Sequence, residues 1–293
     1  MSSGEKIRSM TYALLGMLLY ILSDIITKYY LNTTPVLDIS LVRFAIGLPL
    51  IAFIRPAMRK NCHAIGFAVV NTFNSMAGVY ALTAGSLTGF AIASQMRPLF
   101  LSGFGILLFG AFYSRKTLML LIAAFVMSVV IFSRDPDIQH MANIIFVVTV
   151  AFQSLSFAAF GSHHSSQDVL GFTGLYNLVG LLSCLGVKFV LSEQTFALET
   201  ISVNALNAVI ALAASLLVIM SYRTQYKVQA SSINYLRLPI SLALAVVLFG
   251  EAVTALTAVG SLGIIAIVYE IGRSKVEASS HRLLWLRRKQ SEA

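Results

Sequence analysis

Charge is scarce in this chain. Only 11% of its 293 residues are Asp, Glu, Lys or Arg, whereas an ordinary soluble domain carries about a quarter. Acid is scarcer than base: 12 Asp and Glu stand against 21 Lys and Arg, for a formal net charge of +9. Cysteine is nearly absent. Cys62 and Cys184 lie far apart and away from any histidine cluster, which excludes a disulfide framework and a zinc-ligand spacing. The five histidines, His63, His140, His163, His164 and His281, fall in predicted loops or tails, and the pair His163-His164 reads as a solvated loop rather than a metal site. No H-E-x-x-H, G-x-S-x-G or phosphate-loop pattern occurs, and no aspartate pair within one helix resembles an intramembrane protease. The expectation is therefore no catalytic residue, no metal and no cofactor. A lipid-modifying membrane enzyme is kept as the competing class, lacking a visible acid, base or metal cluster.

Apolar residues fill the gap. They make up 57% of the chain, and the mean hydropathy is +0.82. A soluble domain would have to leave much of that surface in water, whereas a spanning helix needs ~20 mostly apolar residues. Ten such stretches can be marked, at about 9–31, 36–54, 64–84, 88–112, 117–133, 141–160, 169–191, 201–222, 229–249 and 254–272. The connections are short, so no soluble domain fits between them. The fold class is an all-α membrane protein with ten transmembrane helices.

The basic excess has a membrane explanation rather than a nucleic-acid one. If the N-terminus is cytoplasmic, the inner segments hold Lys6, Arg8, Arg55, Arg59, Lys60, Arg115, Lys116, Arg223, Lys227 and six basic residues after the tenth helix. The outer segments hold Arg134, with Lys28 and Lys188 at helix ends, and half of the acids: Asp38, Asp135, Asp137, Glu193, Glu199 and Glu251. That is the positive-inside bias. Both termini are expected in the cytoplasm, and the basic tail 276–293 against anionic headgroups. The first helix lacks a cleavage site after a short apolar core and is expected to be retained, with a bacterial inner membrane as the expected location.

The two halves are punctuated alike. Tyr80 precedes Pro98 by 18 residues, and Gly110 of an LFG tripeptide follows 12 later; Tyr222 precedes Pro239 by 17, and Gly250 of a second LFG follows 11 later. Each proline has an arginine just before it, Arg97 and Arg237. The offset of about 140 residues gives five helices per half, residues 1–135 and 136–275. An odd number of helices makes the second copy enter from the opposite side. This is a five-plus-five inverted repeat, as in many secondary transporters.

These features resemble the drug/metabolite transporter superfamily, in particular the EamA-type permeases. The stretches that carry the resemblance are SDIITKYY (23–30), ISLVRFAIGLPLIAF (39–53), VYAL (79–82), RPLF (97–100) and LFGEAVTALTAVGSLGIIAIVY (248–269). One departure is that Ala111 stands where the second half has Glu251. The resemblance implies ten helices and metabolite transport, often export of amino acids or related compounds.

Buried charge points to the site. Arg97 is the only charge in the 28-residue run Gly85 to Phe112, and a charge at the centre of a span costs ~2.5–3.5 kcal/mol on insertion scales. Asp24 and Arg43 lie at similar depth on the first two helices, with Lys28 one turn from Asp24. They read as an ion pair pinning those helices, or as substrate or coupling residues. In the pairing reading, Asp24→Asn lowers stability and leaves ligand preference alone. Arg97 and Arg237 have no acidic neighbour at matching depth. Three arginines less one aspartate leave the interior about two charges positive, which recruits an anion, and the guanidinium fork suits a carboxylate or phosphate.

Gln95, Asn74, Tyr80, Asn234, Tyr235 and Tyr176 are the expected companions of these arginines in a polar cavity, with Asn71, Gln153, Asn177 and Asn207 nearby. Each reads alternatively as interhelical glue. The expected function is a secondary transporter, an exporter by resemblance, moving a small anionic or zwitterionic metabolite such as an amino acid or organic anion. Because aromatic residues could stack a base, a carrier of S-adenosylmethionine or a nucleotide-like metabolite is the alternative. A channel is disfavoured because the positive charges come from different helices of the two halves. The expected partners are the small-molecule substrate and the lipid bilayer.

Overall fold

The computed structural model describes residues 3–59, 61–85, 87–109, 114–134, 141–163, 169–191, 198–222, 226–250 and 254–273. The basic tail, Lys60, Gly110, Ala111, Asp135, Asp137, Glu193, Arg223, Glu251, His140, His164 and His281 lie outside the described residues. Everything regular among the described residues is helical.

In chain order the helices are α1 (Ser3–Tyr30), α2 (Val36–Ile46), α3 (Pro56–Arg59), α4 (Cys62–Ala84), α5 (Leu87–Ser94), α6 (Arg97–Phe109) and α7 (Arg115–Arg134). They continue as α8 (Met141–His163), α9 (Val169–Val190), α10 (Ile201–Tyr222), α11 (Lys227–Ser232), α12 (Arg237–Phe249) and α13 (Ala255–Arg273). Among the described residues, seven helical segments are long and apolar enough to cross a membrane: Gly4–Tyr30, Ala64–Ala84, Gly89–Leu108, Met141–Ala158, Val169–Val190, Ile201–Tyr222 and Ala230–Leu248. The protein is therefore an integral membrane protein of helical type.

The helix breaks follow the prolines. Pro98 is the second residue of α6, and a turn at Gln95 and Met96 separates it from α5. Proline has no N–H to bond the preceding turn and is tolerated where a helix begins. The same device recurs before Pro239, where α11 tightens into a 3-10 turn, Ile233–Leu236, and α12 starts at Arg237. Another 3-10 segment, Leu48–Phe53, carries Pro49 and continues α2. Arg97 and Arg237 each open a helix at such a break.

Polarity is inverted relative to a soluble protein. Phe73, Val247 and Phe189 are 62%, 77% and 88% exposed, as lipid-facing side chains are, while Asn71, Asn74, Gln95, Asn143, Asn177 and Asn207 are buried. Helices in lipid gain nothing by burying leucine and associate through close packing and interior hydrogen bonds. The principal packing pairs are α1 on α10, α4 on α8 and α9, α10 on α2, α6 on α8, α2 on α9, α5 on α12 and α7 on α13.

The α2–α9 seam depends on glycine. A Cβ at Gly47 would stand 2.1 Å from Asn177 Cγ, one at Gly180 2.5 Å from Phe44 Cδ1, and one at Gly174 2.4 Å from the Leu50 carbonyl oxygen. Side chains can yield at the first two, but the third obstacle is backbone. Gly174→Ala is expected to cost about 1–3 kcal/mol, read as a lower midpoint in detergent unfolding. Gly66→Ala, with open space around it, should be neutral or slightly stabilising. At the far end of α12, Gly250 has φ +64°, a left-handed cap that favours glycine.

Two further contacts fasten α2 to its neighbours near α2's start. Lys188 of α9 donates to the Asp38 carboxylate in a buried ion pair. Asn204 Nδ2 of α10 donates to the Asp38 backbone oxygen at 3.2 Å. Lys188 and Asp38, expected in the outer segments, are both buried and paired, because the seam closes over them.

Candidate functional site

A cavity with about 770 Å³ of empty space lies among α1, α2, α4, α5, α6, α8, α9, α10 and α12. Its charged residues are Asp24 from α1, Arg43 from α2, Arg97 from α6 and Arg237 from α12. α4 contributes a face running through Phe67, Asn71, Asn74, Gly78 and Leu82, with Ser75 beside it. Tyr20, Phe90, Phe146, Phe157 and Tyr176 supply aromatic wall. Phe90 stacks on Phe146 with centroids 4.6 Å apart, and Phe157 packs edge-on to Phe67 and Tyr222.

The arginines have different partners. Arg237 donates to the Asp24 carboxylate, with both side chains buried, and its guanidinium carbon lies 4.7 Å from the Phe90 ring centroid. Arg43 donates to Ser23 Oγ at 3.0 Å and Thr27 Oγ1 at 3.1 Å; flipped, the Asn207 amide oxygen also accepts from it. Arg97 is 8% exposed, its Nε has no partner, and no carboxylate among the described residues pairs with it. Its guanidinium reaches the Tyr222 hydroxyl, which accepts from Asn234 Nδ2 at 2.9 Å.

These contacts revise the expected pairing. Asp24 binds Arg237, not Arg43 or Lys28, so Arg237 does have an acidic neighbour. Depth along a helix points Asp24 to Arg43, but α1 also packs on α12, and a long arginine side chain bridges about one turn of depth difference. Lys28 instead donates to the Gly85 backbone oxygen at 2.6 Å, a cation at the C-terminal end of α4.

Among the expected companions, Asn74 and Tyr176 line the cavity along with Asp24, Arg43, Arg97 and Arg237. Tyr80 does not: it is 39% exposed and sits about 200° round the helix from Gly78. Gln95 ties three rods together instead, donating to the Tyr235 backbone oxygen at 3.2 Å and accepting from Ser128 Oγ at 3.0 Å. Tyr235 is fully buried in an apolar cluster with Ala91, Leu121 and Ile264, and Asn234 touches the site only through Tyr222. Consequently Tyr80→Ala is expected to leave ligand affinity unchanged within about twofold, well inside the scatter of surface substitutions, as titration calorimetry would report.

Tyr20, Ser75, Phe90, Phe146, Phe157 and Ser215 line the cavity without having been expected. An aromatic or serine in an apolar span carries no cost that would single it out, so only the packing of its helix reveals it. For Ser75, its place beside Asn71 and Asn74 on α4 was an available signal.

No family model matches the sequence, and no curated protein does. Solved structures match in fold. One, described as "Crystal structure of protein", has a TM-score of 0.61 at 15% identity, covering 92% of this chain and 98% of that one. At that identity the likeness shows the fold alone.

Proposed function

We propose that the chain is a ten-span secondary transporter of the drug/metabolite superfamily, EamA type, built as a five-plus-five inverted repeat. It moves a small anionic or zwitterionic metabolite, an amino acid or organic anion, through a central site by alternating access. Arg97 holds the substrate's negative group. The observation that carries this reading is a buried guanidinium that no carboxylate among the described residues pairs with, facing a cavity shared by both halves of the chain.

The repeat is supported by contacts that come in related pairs. Gly47 abuts Asn177 and Gly180 abuts Phe44; adding 133 to 44 and 47 gives 177 and 180. The Asn207 amide lies 2.6 Å from Ser23 Oγ, and Asn71 Nδ2 donates to Ser156 Oγ at 3.4 Å. Ser156 follows Ser23 by 133 positions, and Asn207 follows Asn71 by 136. Larger elements obey the same exchange, α1 on α10 answering α8 on α4, and α4 on α9 answering α10 on α2. A two-fold axis makes residue i meet j while the mate of i meets the mate of j. Arg97 and Arg237, each opening the helix after a break, are 140 apart on the same scheme.

An odd number of spans per repeat inverts the second copy, which is the architecture of alternating access with a mid-membrane site. With the basic excess inside, both termini are cytoplasmic in a bacterial inner membrane, and export is the direction the resemblance implies. The stacked Phe90–Phe146 pair supports a second substrate reading, a metabolite with a planar base such as S-adenosylmethionine.

A thermal-shift panel of amino acids, organic anions, nucleotides and organic cations on the purified protein tests this. Stabilisation by carboxylate compounds is the expected result, followed by their flux in proteoliposomes. Stabilisation by cations alone would overturn the anion assignment.

A further inference from the structure

The cavity holds more positive charge than its one ion pair answers. Its charged lining residues are Asp24, Arg43, Arg97 and Arg237, three cations against one anion. Asp24 bonds to Arg237 and acts on Arg43 more weakly, through space alone. However its field divides between those two, two positive charges stay unanswered by the described lining. Arg97 has the Tyr222 hydroxyl, and Arg43 has the hydroxyls of Ser23 and Thr27 at 3.0 and 3.1 Å. A hydroxyl accepts a bond but returns no charge. Neither guanidinium has spent all of its five N–H donors. On Arg43 every bond to a described residue, that of the flipped Asn207 included, falls on Nη2, and Nε has none. Nε of Arg97 is unbonded as well. The cavity-lining Tyr20 hydroxyl feels the charges of Arg97, Arg237 and Arg43 together, so all three cations surround one region. Arg43, Ser75 and Tyr176 also border a side pocket that reaches Asn177 and Leu212. Arg43 therefore stands where the two spaces meet.

From this we propose that the site takes a compact dicarboxylate, with one carboxylate on Arg97 and the other on Arg43. The inference rests on the anion-transport reading and names its substrate class. A monocarboxylate leaves one guanidinium unanswered, and a zwitterion, having no net charge, leaves the total as it was. A dianion closes the balance. That closure counts for more in a low-dielectric interior than in water, and each guanidinium fork suits one carboxylate. The Asp24–Arg237 pair is neutral as a unit and bars neither group.

The probes are succinate and glutarate, each set against its monoamide, succinamate or glutaramate, which keeps the chain and loses one charge. Calorimetric titration of the wild-type protein should give the better-fitting dianion tighter binding than its monoamide by about tenfold or more, the worth of a charged hydrogen bond. In Arg43→Gln that ratio should fall to within about threefold of unity, because the second charged contact is gone. A change of cavity shape alone would move both ligands together and leave the ratio where it was. A ratio unchanged in Arg43→Gln therefore overturns the assignment. Monoamides that bind the wild type as tightly as the dianions overturn it without any variant, which covers the case where Arg43→Gln does not fold. If neither dianion binds while a monocarboxylate of the thermal-shift panel does, the dicarboxylate inference fails and the transporter reading stands. If no carboxylate binds at all, the anion reading fails and takes this inference with it.

Discussion

Arg97→Ala abolishes binding of carboxylate ligands and leaves the protein at least as stable as the wild type. Both halves of that expectation come from the same observation. The guanidinium is buried, and no carboxylate among the described residues pairs with it, so it bears a desolvation penalty that its hydroxyl contact does not repay fully. An isolated cation at mid-span costs ~2.5–3.5 kcal/mol on insertion scales, and removing it relieves that cost. The offsetting loss is its contact with the Tyr222 hydroxyl, which keeps its bond from Asn234.

Binding behaves in the opposite way. Hydrogen bonds to charged groups are worth about 1.5–3 kcal/mol each, and a guanidinium offers two in parallel to a carboxylate. The variant should therefore lose at least about 10²-fold in affinity, measured by calorimetry with the ligand that gives the largest thermal shift. Arg97→Lys keeps the charge and loses the fork, and should fall between the two. A variant that binds as the wild type does would make Arg97 structural. A variant that fails to fold would mean that Tyr222 and the α5–α6 break need the guanidinium more than the ligand does.

The helices and the site were not equally legible in the sequence. Each of the ten apolar stretches coincides with a helix or a broken helix, for instance 201–222 with α10 and 229–249 with α11 through α12. Hydropathy summed over about twenty residues is insensitive to single substitutions. Arg97 and Arg237 were legible because a charge inside a span is expensive enough to need a reason. Their partners were not. Depth follows from counting residues, but azimuth and helix neighbours follow from packing, which is why Asp24 was matched to Arg43 on the next helix in sequence instead of Arg237 on α12. Tyr80 shows the same blindness on a smaller scale, since it lies two residues from cavity-lining Gly78 and faces away. The glycines of the α2–α9 seam, Gly47, Gly174 and Gly180, gave no signal either. A glycine in an apolar helix is common, and only the approach of Leu50 or Asn177 gives it a purpose.

Lys188→Met should be among the most destabilising substitutions in the chain, and Asp38→Asn added to it should restore most of the loss. The pair is buried on both sides, with side-chain exposures of 5% and 6%, at the end of the α2–α9 seam where α2 begins. Breaking a buried pair from one side costs about 3–5 kcal/mol because the remaining buried charge loses the partner it was packed against. Asp38 also accepts from Asn204 through its backbone oxygen, and that bond is untouched by either change, so the start of α2 stays tied to α10. Replacing both charges by neutral groups of similar size is near neutral, or stabilising by up to about 4 kcal/mol. Unfolding in mixed micelles, followed by circular dichroism, would report both values. If the double variant is no more stable than Lys188→Met alone, the ion pair is not what fastens this end, and the glycine contacts of Gly47, Gly174 and Gly180 must carry the seam. If it recovers stability but loses transport, the charges matter for opening the seam and not for holding it. Under the proposed transporter reading, that outcome would assign Asp38 and Lys188 to a gate, because alternating access requires that one end of a repeat interface part while the other stays closed.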